Sequence, residues 1–571
     1  MALTVEHLLY GLILLGGAVL RLAGLGRTPL SPDEAAIALS VFDYWQPGVA
    51  TAPSGSPALY SMLVPLSQIV GFEDWSMRLA PALVGLSTVL LPSLLRHRIG
   101  RRGALLASTF LALSPLHVIV SRTVSGHALA VFAALFAAIA ILRWLERGRP
   151  GWFYLFLGTS AFGLTTDGLF LSILLALAIA YLLRRLLGPE LGFEDLLGVP
   201  AVEPRTLRNG GLFFLAVFIA FSTAFLLNLL GYSGVGQLAV AWLSGFGFAE
   251  SATHWRELFG ALLRYELLLT AFGLVAALWA IRKDAPAPLF LVYWLVGSGA
   301  LLLLRSGQVD LLLAASLPGY LLIGCLGQSV SLQQGGRYSW FALALIVICG
   351  LVAATNLAQF ARLAGLAGSA ASVNLFLVFV AVATCIVVMA VLYSWRPLTA
   401  YYGAYFGTLA LLVLFNWNAA WRLGQQGAND PREPWVGMAT DDDTSVMTTV
   451  VTDISWEVAR SASGLEIVSL IDNPAIRWNL RAFGQLEFVA TIPPNSRPQT
   501  LITPVGYEPA LEADYIGTDF GYQRPELQHQ LPLYDALKWW LFQESPLSVK
   551  EEGLIFWIRS DLASLPESGD A

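Results

Sequence analysis

The sequence predicts an all-α polytopic membrane protein followed by a small extracytoplasmic α/β domain. Three observations predict it. Hydrophobic residues make up 56% of the chain and charged residues 13%, with mean hydropathy +0.66. Soluble domains hold about 45–50% apolar and about 25% charged residues, so one aqueous core cannot account for this composition. Second, apolar runs long enough to cross a bilayer, which takes about 20 residues, recur up to residue 421. Third, the charge balance then changes sign. From Arg422 onward there are 10 Lys and Arg against 22 Asp and Glu, net −12; the preceding part holds 23 against 17, net +6. The break predicts a transmembrane domain over 1–421, with an outer loop at 24–78, and a soluble domain over 422–571.

The apolar runs lie near 6–23, 79–95, 103–120, 128–143, 152–166, 169–183, 211–230, 263–281, 288–304, 311–328, 340–359, 374–393 and 401–420, about thirteen spans. The first run has no basic leader and no small-residue cleavage site, so it reads as a retained span. Basic clusters at 96–102, 143–149, 184–208, 282–283 and 395–397 fall on alternate connections. The positive-inside rule places that side in the cytoplasm and outvotes Arg21 and Arg27. An odd span count then puts segment 24–78 and the C-terminal domain outside a multi-pass plasma-membrane protein.

Within the outer loop, residues 54–71 have helical apolar spacing and read as a helix along the interface, with Trp45 and Trp75 suited to the headgroup layer. A second outer loop covers 231–262. In the C-terminal part, "TSVMTTVVTDISWEVARSASG" and "NPAIRWNLRAFG" read as helices. "LEIVSLI", "LEFVAT", "QTLIT" and "GLIFWIR" read as short strands. Cys325, Cys349 and Cys385 all lie in apolar runs, so no disulfide framework is available to the soluble part. The chain contains no GxxxxGK[ST], HExxH or CxxC.

The acidic pair in "SPDE" is the first candidate for chemistry. Ser31, Pro32, Asp33 and Glu34 fit a capping box with proline at the first helical position. That is a purely structural reading. The functional reading places a carboxylate just outside the bilayer, held ionised by the helix N-terminus, where it can accept a proton from a hydroxyl or ligate a divalent cation. Glu34 can cap while Asp33 points into a cavity. Arg122 ends the third span, either snorkelling to headgroups or forking onto a lipid phosphate. His127 is a helix-start residue or a site group, and Asp167 and Arg305 are span-end charges that can pair with each other or contact a substrate. His254, Arg256 and Glu257 read as an interfacial helix face. Trp478 and Arg481 read as packing and surface residues, and the run Asp441–Asp443 as solvated carboxylates or a helix start.

"RLAGLGRTPLSPDEAAIAL" resembles the first outer loop of GT-C membrane glycosyltransferases, among them protein O-mannosyltransferases and aminoarabinose lipid A transferases. A closer likeness, over residues 54–122 and 473–494, is to the flippase-activity-associated GT-C-like proteins. Where that family has HDE this chain has Pro32-Asp33-Glu34, and its WYLR stands here as Trp478-Asn479-Leu480-Arg481. The resemblance implies a GT-C fold and a polyprenyl-phosphate sugar donor. It implies a lipid-linked glycan or protein acceptor, transfer at the outer face, and Asp33 and Glu34 as the catalytic pair. Arg122, His127, Asp167 and Arg305 become the candidate substrate contacts. No cofactor is demanded, a divalent cation on the acidic pair being the one candidate. No nucleic-acid partner is expected. The alternative is a non-catalytic GT-C-like component that binds polyprenyl-linked glycans and assists their flipping or assembly. Few ionisable groups lie inside the spans and no repeats pair, which counts against an ion-coupled carrier.

Overall fold

Apolar periodicity closes into helices along most of the chain. The structure is a computed structural model that describes residues 5–47, 52–187, 203–246, 252–305, 308–330, 332–363, 369–425, 427–433, 435–492, 496–507, 511–525, 540 and 548–563. The side chains at 252–257, and with them His254, Arg256 and Glu257, lie outside what it describes.

The first half of the membrane domain comprises α1 (Val5–Leu22), α2 (Pro32–Tyr44), α3 (Pro57–Val70), α4 (Asp74–Thr88), α5 (Arg101–Leu113), α6 (Pro115–Val120), α7 (His127–Arg147), α8 (Pro150–Gly163) and α9 (Gly168–Leu187). The second half comprises α10 (Pro204–Ser222), α11 (Gly231–Ser244), α12 (Ala252–Tyr265), α13 (Leu267–Lys283), α14 (Pro286–Leu304), α15 (Leu312–Ser329), α16 (Ser339–Leu363), α17 (Ser369–Trp395) and α18 (Pro397–Gln425). Among the described residues, nine helices are long and apolar enough to cross a membrane. The other four expected runs do not form one long apolar helix. The run at 103–120 breaks at Ser114, an extended residue that caps α6 with Pro115 behind it. The run at 263–281 breaks at Glu266, between α12 and α13. The run at 152–166 is the 14-residue α8. The run at 211–230 stops at Ser222, after which Ala224, Phe225 and Leu226 all adopt positive φ.

The helix expected over 54–71 forms as α3, Pro57–Val70. One face of α3 is fully buried through Leu59, Tyr60, Leu63 and Val64 against the membrane-domain core, while Pro65, Gln68 and Ile69 are exposed on the other. Its N-terminus is pinned by the Ala58 N–H, which donates to the Thr165 carbonyl at 2.8 Å. By contrast α16 and α17 pack on each other and on α18 and are exposed along most of their length, as helices facing lipid are.

The C-terminal domain is a six-stranded mixed sheet in the order β1-β5-β6-β4-β2-β3. Its elements are β1 (Ala439–Thr440), α19 (Asp443–Ala459), β2 (Ile467–Ser469), α20 (Pro474–Asn479), β3 (Leu486–Phe488), β4 (Thr500–Pro504), β5 (Tyr515–Arg524) and β6 (Glu552–Arg559). Strand β2 pairs in parallel with β3 and β4, and the remaining pairs are antiparallel. Central β4 is buried on both faces, and β6 alternates as a half-buried strand does. Both α19 and α20 cover the sheet, with Met447, Val451 and Ile476 against Ile467, Ile502 and Phe556.

The two parts are clamped together. The Trp478 indole is fully buried and donates to Asp74 Oδ1 at 2.7 Å. Arg481 stacks 3.9 Å over Trp478 and donates to the carbonyls of Trp478 and Phe72. Thr440 Oγ1 donates to the Leu30 carbonyl at 2.7 Å. In the linker, Glu433 accepts from Arg264 and from the Tyr265 hydroxyl, all three buried. The C-terminal domain therefore sits over the end of the membrane domain where α2 begins.

Candidate functional site

Ser31 has φ −61° and ψ 161°, and its hydroxyl accepts from the Glu34 N–H at 3.3 Å while Glu34 Oε2 accepts from the Ser31 N–H at 3.0 Å. Both arms of the capping box are formed, with Pro32 at the first turn. The Glu34 carboxylate is used further. Arg78 Nε donates to Oε1 at 3.0 Å and Nη2 to Oε2 at 2.7 Å, and the Val124 N–H donates to Oε1 at 2.8 Å. Arg78 spends its remaining N–H groups on the carbonyls of Leu25, Thr28 and Pro29. Both side chains are under 10% exposed. Burial pushes the Glu34 carboxyl upward, but the Arg78 cation and the N–H donors outweigh it, so the carboxyl is held below its usual range.

Glu34 is thus the centre of a knot joining α2, α4, the loop after α1 and the loop after α6. The same cap leaves its neighbour outside the knot. Asp33 is exposed at the second helical position, and among the described residues its carboxylate makes no hydrogen bond or ion pair.

Arg122 is buried in another role. Nη1 donates to the carbonyls of Leu20, Arg21 and Ala23 at 3.2, 3.2 and 2.7 Å, and Nη2 to that of Gly24 at 3.1 Å. A cation there satisfies the unpaired carbonyls at the C-terminus of α1 and complements its dipole. Burial, with Arg78 and Arg27 adding to it, lowers the guanidinium pKa to about 10. The fork expected to hold a phosphate is occupied by backbone.

The other three candidates meet. His127 opens α7, Asp167 caps α9 by accepting from the Leu169 N–H at 2.8 Å, and Arg305 follows the last residue of α14. A fourth residue joins them: Asp310 Oδ2 lies 3.7 Å from His127 Nε2, each side chain about a quarter exposed. Both carboxylates act electrostatically on Arg305, and Asp167 also acts on His127. Arg305 donates to Ser172 Oγ at 2.9 Å and lies over the rings of Trp242 and Phe246 at 5.7 and 5.2 Å. Its Nε is buried without an acceptor among the described residues. Burial lowers its pKa, against the opposing pull of Asp310 and Asp167. Trp435, from the linker, meets the His127 ring edge to face at 6.2 Å. The cluster and the knot share one loop: Val124 bonds Glu34, and Gly126 sits so tightly against the Thr166 carbonyl that a Cβ there would lie 2.3 Å from it.

Sequence reasoning missed Asp310 and Arg78. Each is an ionisable group set at the edge of an apolar run, which is itself a signal. Among the described residues no three His, Cys, Asp or Glu side chains are arranged to hold a metal ion. Asp441 pairs with Arg524 at 2.8 Å, Asp442 accepts from Asn429 and Asp443 from the Gly521 N–H, so that run begins α19 and braces the sheet.

Comparison with known proteins agrees with this architecture. Residues 55–189 match the family described as dolichyl-phosphate-mannose-protein mannosyltransferase. A putative mannosyltransferase, YkcB of Bacillus subtilis (strain 168), is 34% identical over 97 residues, which is 17% of this chain and 14% of that protein. ArnT from Cupriavidus metallidurans in the apo state superimposes with TM-score 0.54 at 14% identity, covering 82% of this chain and 84% of ArnT. The same ArnT bound to undecaprenyl phosphate gives TM-score 0.54 at 15% identity over 84% and 85% of the two chains. The chain has the GT-C fold.

Proposed function

We propose that the protein transfers a sugar from a polyprenyl-phosphate donor to a lipid-linked or protein acceptor, with Asp33 as general base. The observation that carries this reading is the division of labour within "SPDE". Glu34 takes both the cap and the buried cation, which leaves Asp33 exposed at the second position of the helix. The acceptor hydroxyl oxygen attacks the anomeric carbon, the sugar–phosphate bond breaks, and the hydroxyl proton passes to Asp33. Polyprenyl phosphate leaves with the bonding electron pair. His127, Asp310, Asp167 and Arg305 line the neighbouring surface as substrate contacts. Likeness to a mannosyltransferase family and to a protein that binds undecaprenyl phosphate supports the donor class.

The face of the membrane is the outer one. The basic connections at 96–102, 143–149 and 282–283 lie at the helix ends away from the C-terminal domain, as the positive-inside rule requires for that domain to be outside. The acidic domain proposed over 422–571 begins within the last turn of α18, which ends at Gln425.

Purified protein assayed with a panel of polyprenyl-phosphate sugars tests the reading. Loss of a general base costs about 10²–10⁴ in rate, so Asp33→Asn should lose that much transfer with unchanged thermal unfolding. A second reading, a non-catalytic component that binds polyprenyl-linked glycans, is favoured by Arg122, whose fork is filled by the carbonyls of α1. Carrier binding without transfer from any donor would establish it.

A further inference from the structure

A groove lies at the opposite end of the membrane domain from the acidic pair. It runs between α7, α9 and α14, with a cavity volume of about 660 Å³. Each of these helices has its other end at the cluster of His127, Asp167 and Arg305, so the groove, whose lining on α7 begins at Leu135, occupies the halves of the helices away from that site. Its walls are apolar: Leu142 from α7, Leu177 from α9 and Phe290 from α14, with Leu321 of α15 behind them. One polar group interrupts the walls. Trp294 is 2% exposed, and its indole N–H has no acceptor among the described residues. The mouth is basic, lined by Arg98, Arg184 and Arg185. Arg98 is bound through Nε to Glu146, which leaves its terminal nitrogens. Arg184 is half-buried and in no ion pair with a described carboxylate.

We infer that this groove is a binding site for an anionic glycerophospholipid of the bilayer. Apolar walls of this size suit acyl chains, a volume within the range of small-molecule sites of about 300–1,000 Å³. An Arg pair matches a phosphate with two parallel N–H donors each. The unused indole N–H suits an ester carbonyl, the acceptor such a lipid carries between its chains and its headgroup. Arginines that served only to orient the chain would need no groove beneath them. Charge selects the headgroup: an arginine beside an anionic lipid contributes about fivefold in affinity.

Native mass spectrometry of the delipidated full chain tests this, titrated with phosphatidylglycerol, phosphatidylcholine of the same chains, and undecaprenyl phosphate. Phosphatidylglycerol should bind about 25-fold tighter than phosphatidylcholine, given about fivefold from each of two arginines. The preference should disappear in R98Q/R184Q. Ala138→Trp, which fills the groove from α7, should weaken both phospholipids at an unchanged unfolding temperature. Equal binding of the two phospholipids by the wild type would overturn the assignment, as would a preference that survives both variants. Tighter retention of undecaprenyl phosphate than of phosphatidylglycerol, lost in Ala138→Trp, would reassign the groove to the carrier lipid and overturn the phospholipid reading.

Discussion

The knot around Glu34 and the cluster around Asp310 both pair carboxylates with cations and share the loop that runs from Val124 to His127, yet they are finished differently. In the knot, the Glu34 carboxylate has four N–H donors within about 3 Å and Arg78 has three backbone carbonyls besides. In the cluster, His127 and Asp310 stand 3.7 Å apart and a quarter exposed, and the Nε of Arg305 has no acceptor among the described residues. A buried charge that is fully hydrogen-bonded fixes architecture, because nothing else can satisfy it as well. A loosely paired, half-open set keeps capacity for a ligand. Adjacent acidic groups at a membrane surface therefore divide into scaffold and site by how completely their partners satisfy them, and that division can be attacked by mutation.

The largest effect is expected in the knot. Glu34→Gln leaves Arg78 buried beside a neutral group, and breaking one side of a buried pair costs about 3–5 kcal/mol. Thermal unfolding in detergent should show a matching fall. The sign of the pH dependence follows from the depressed carboxyl. The contribution of Glu34 is complete above the ordinary carboxyl range and is lost as pH falls through its lower folded value. The acid limb of wild-type stability should therefore flatten in the variant.

Next comes the clamp on the same helix as Arg78. Trp478→Phe keeps the packing but removes the bond to Asp74, and a hydrogen bond to a charged group is worth about 1.5–3 kcal/mol. Proteolysis within the linker should accelerate if the C-terminal domain is loosened as this bond implies. Arg122→Lys distinguishes the two sides of the comparison directly. As a helix cap it should lose about 1–3 kcal/mol of stability through unsatisfied carbonyls, with donor affinity unchanged. Weaker donor binding at unaltered stability would return Arg122 to the site. The smallest effect belongs to the cluster: Asp310→Asn should change stability by no more than about 1 kcal/mol, as exposed pairs do. Its consequence should appear in the KM for the donor. A large loss of stability instead would show that the cluster is scaffold too.

Much of the fold was legible because the signals are local. Apolar runs, Pro at helix starts and the Ser31–Glu34 spacing act within one or two turns, and the strands of the C-terminal domain at 467–469, 486–488, 500–504 and 552–559 match the segments read as strands, with only Pro504 and Glu552 outside them. β5 was missed because it carries little apolar pattern: Ile516 to Asp519 are exposed, and Phe520 is its one buried residue. Among the described residues nine of the thirteen expected runs form single long apolar helices, and two of the others are interrupted at Ser114 and Glu266, residues that a run's mean hydropathy hides.

By itself, the sequence determined a helical membrane domain, an acidic domain after Arg422, and a capping box at residues 31–34, since each depends only on composition or on neighbours three or four residues apart. Tertiary structure decided what the charges do. Glu34 met Arg78 across 44 residues and Val124 across 90, Arg122 turned onto the end of α1 about 100 residues away, and His127 found Asp310. No local period encodes such pairs. They depend on which helix ends pack side by side, and only in that packing does burial compel a charge to take a partner or leave it open to a substrate.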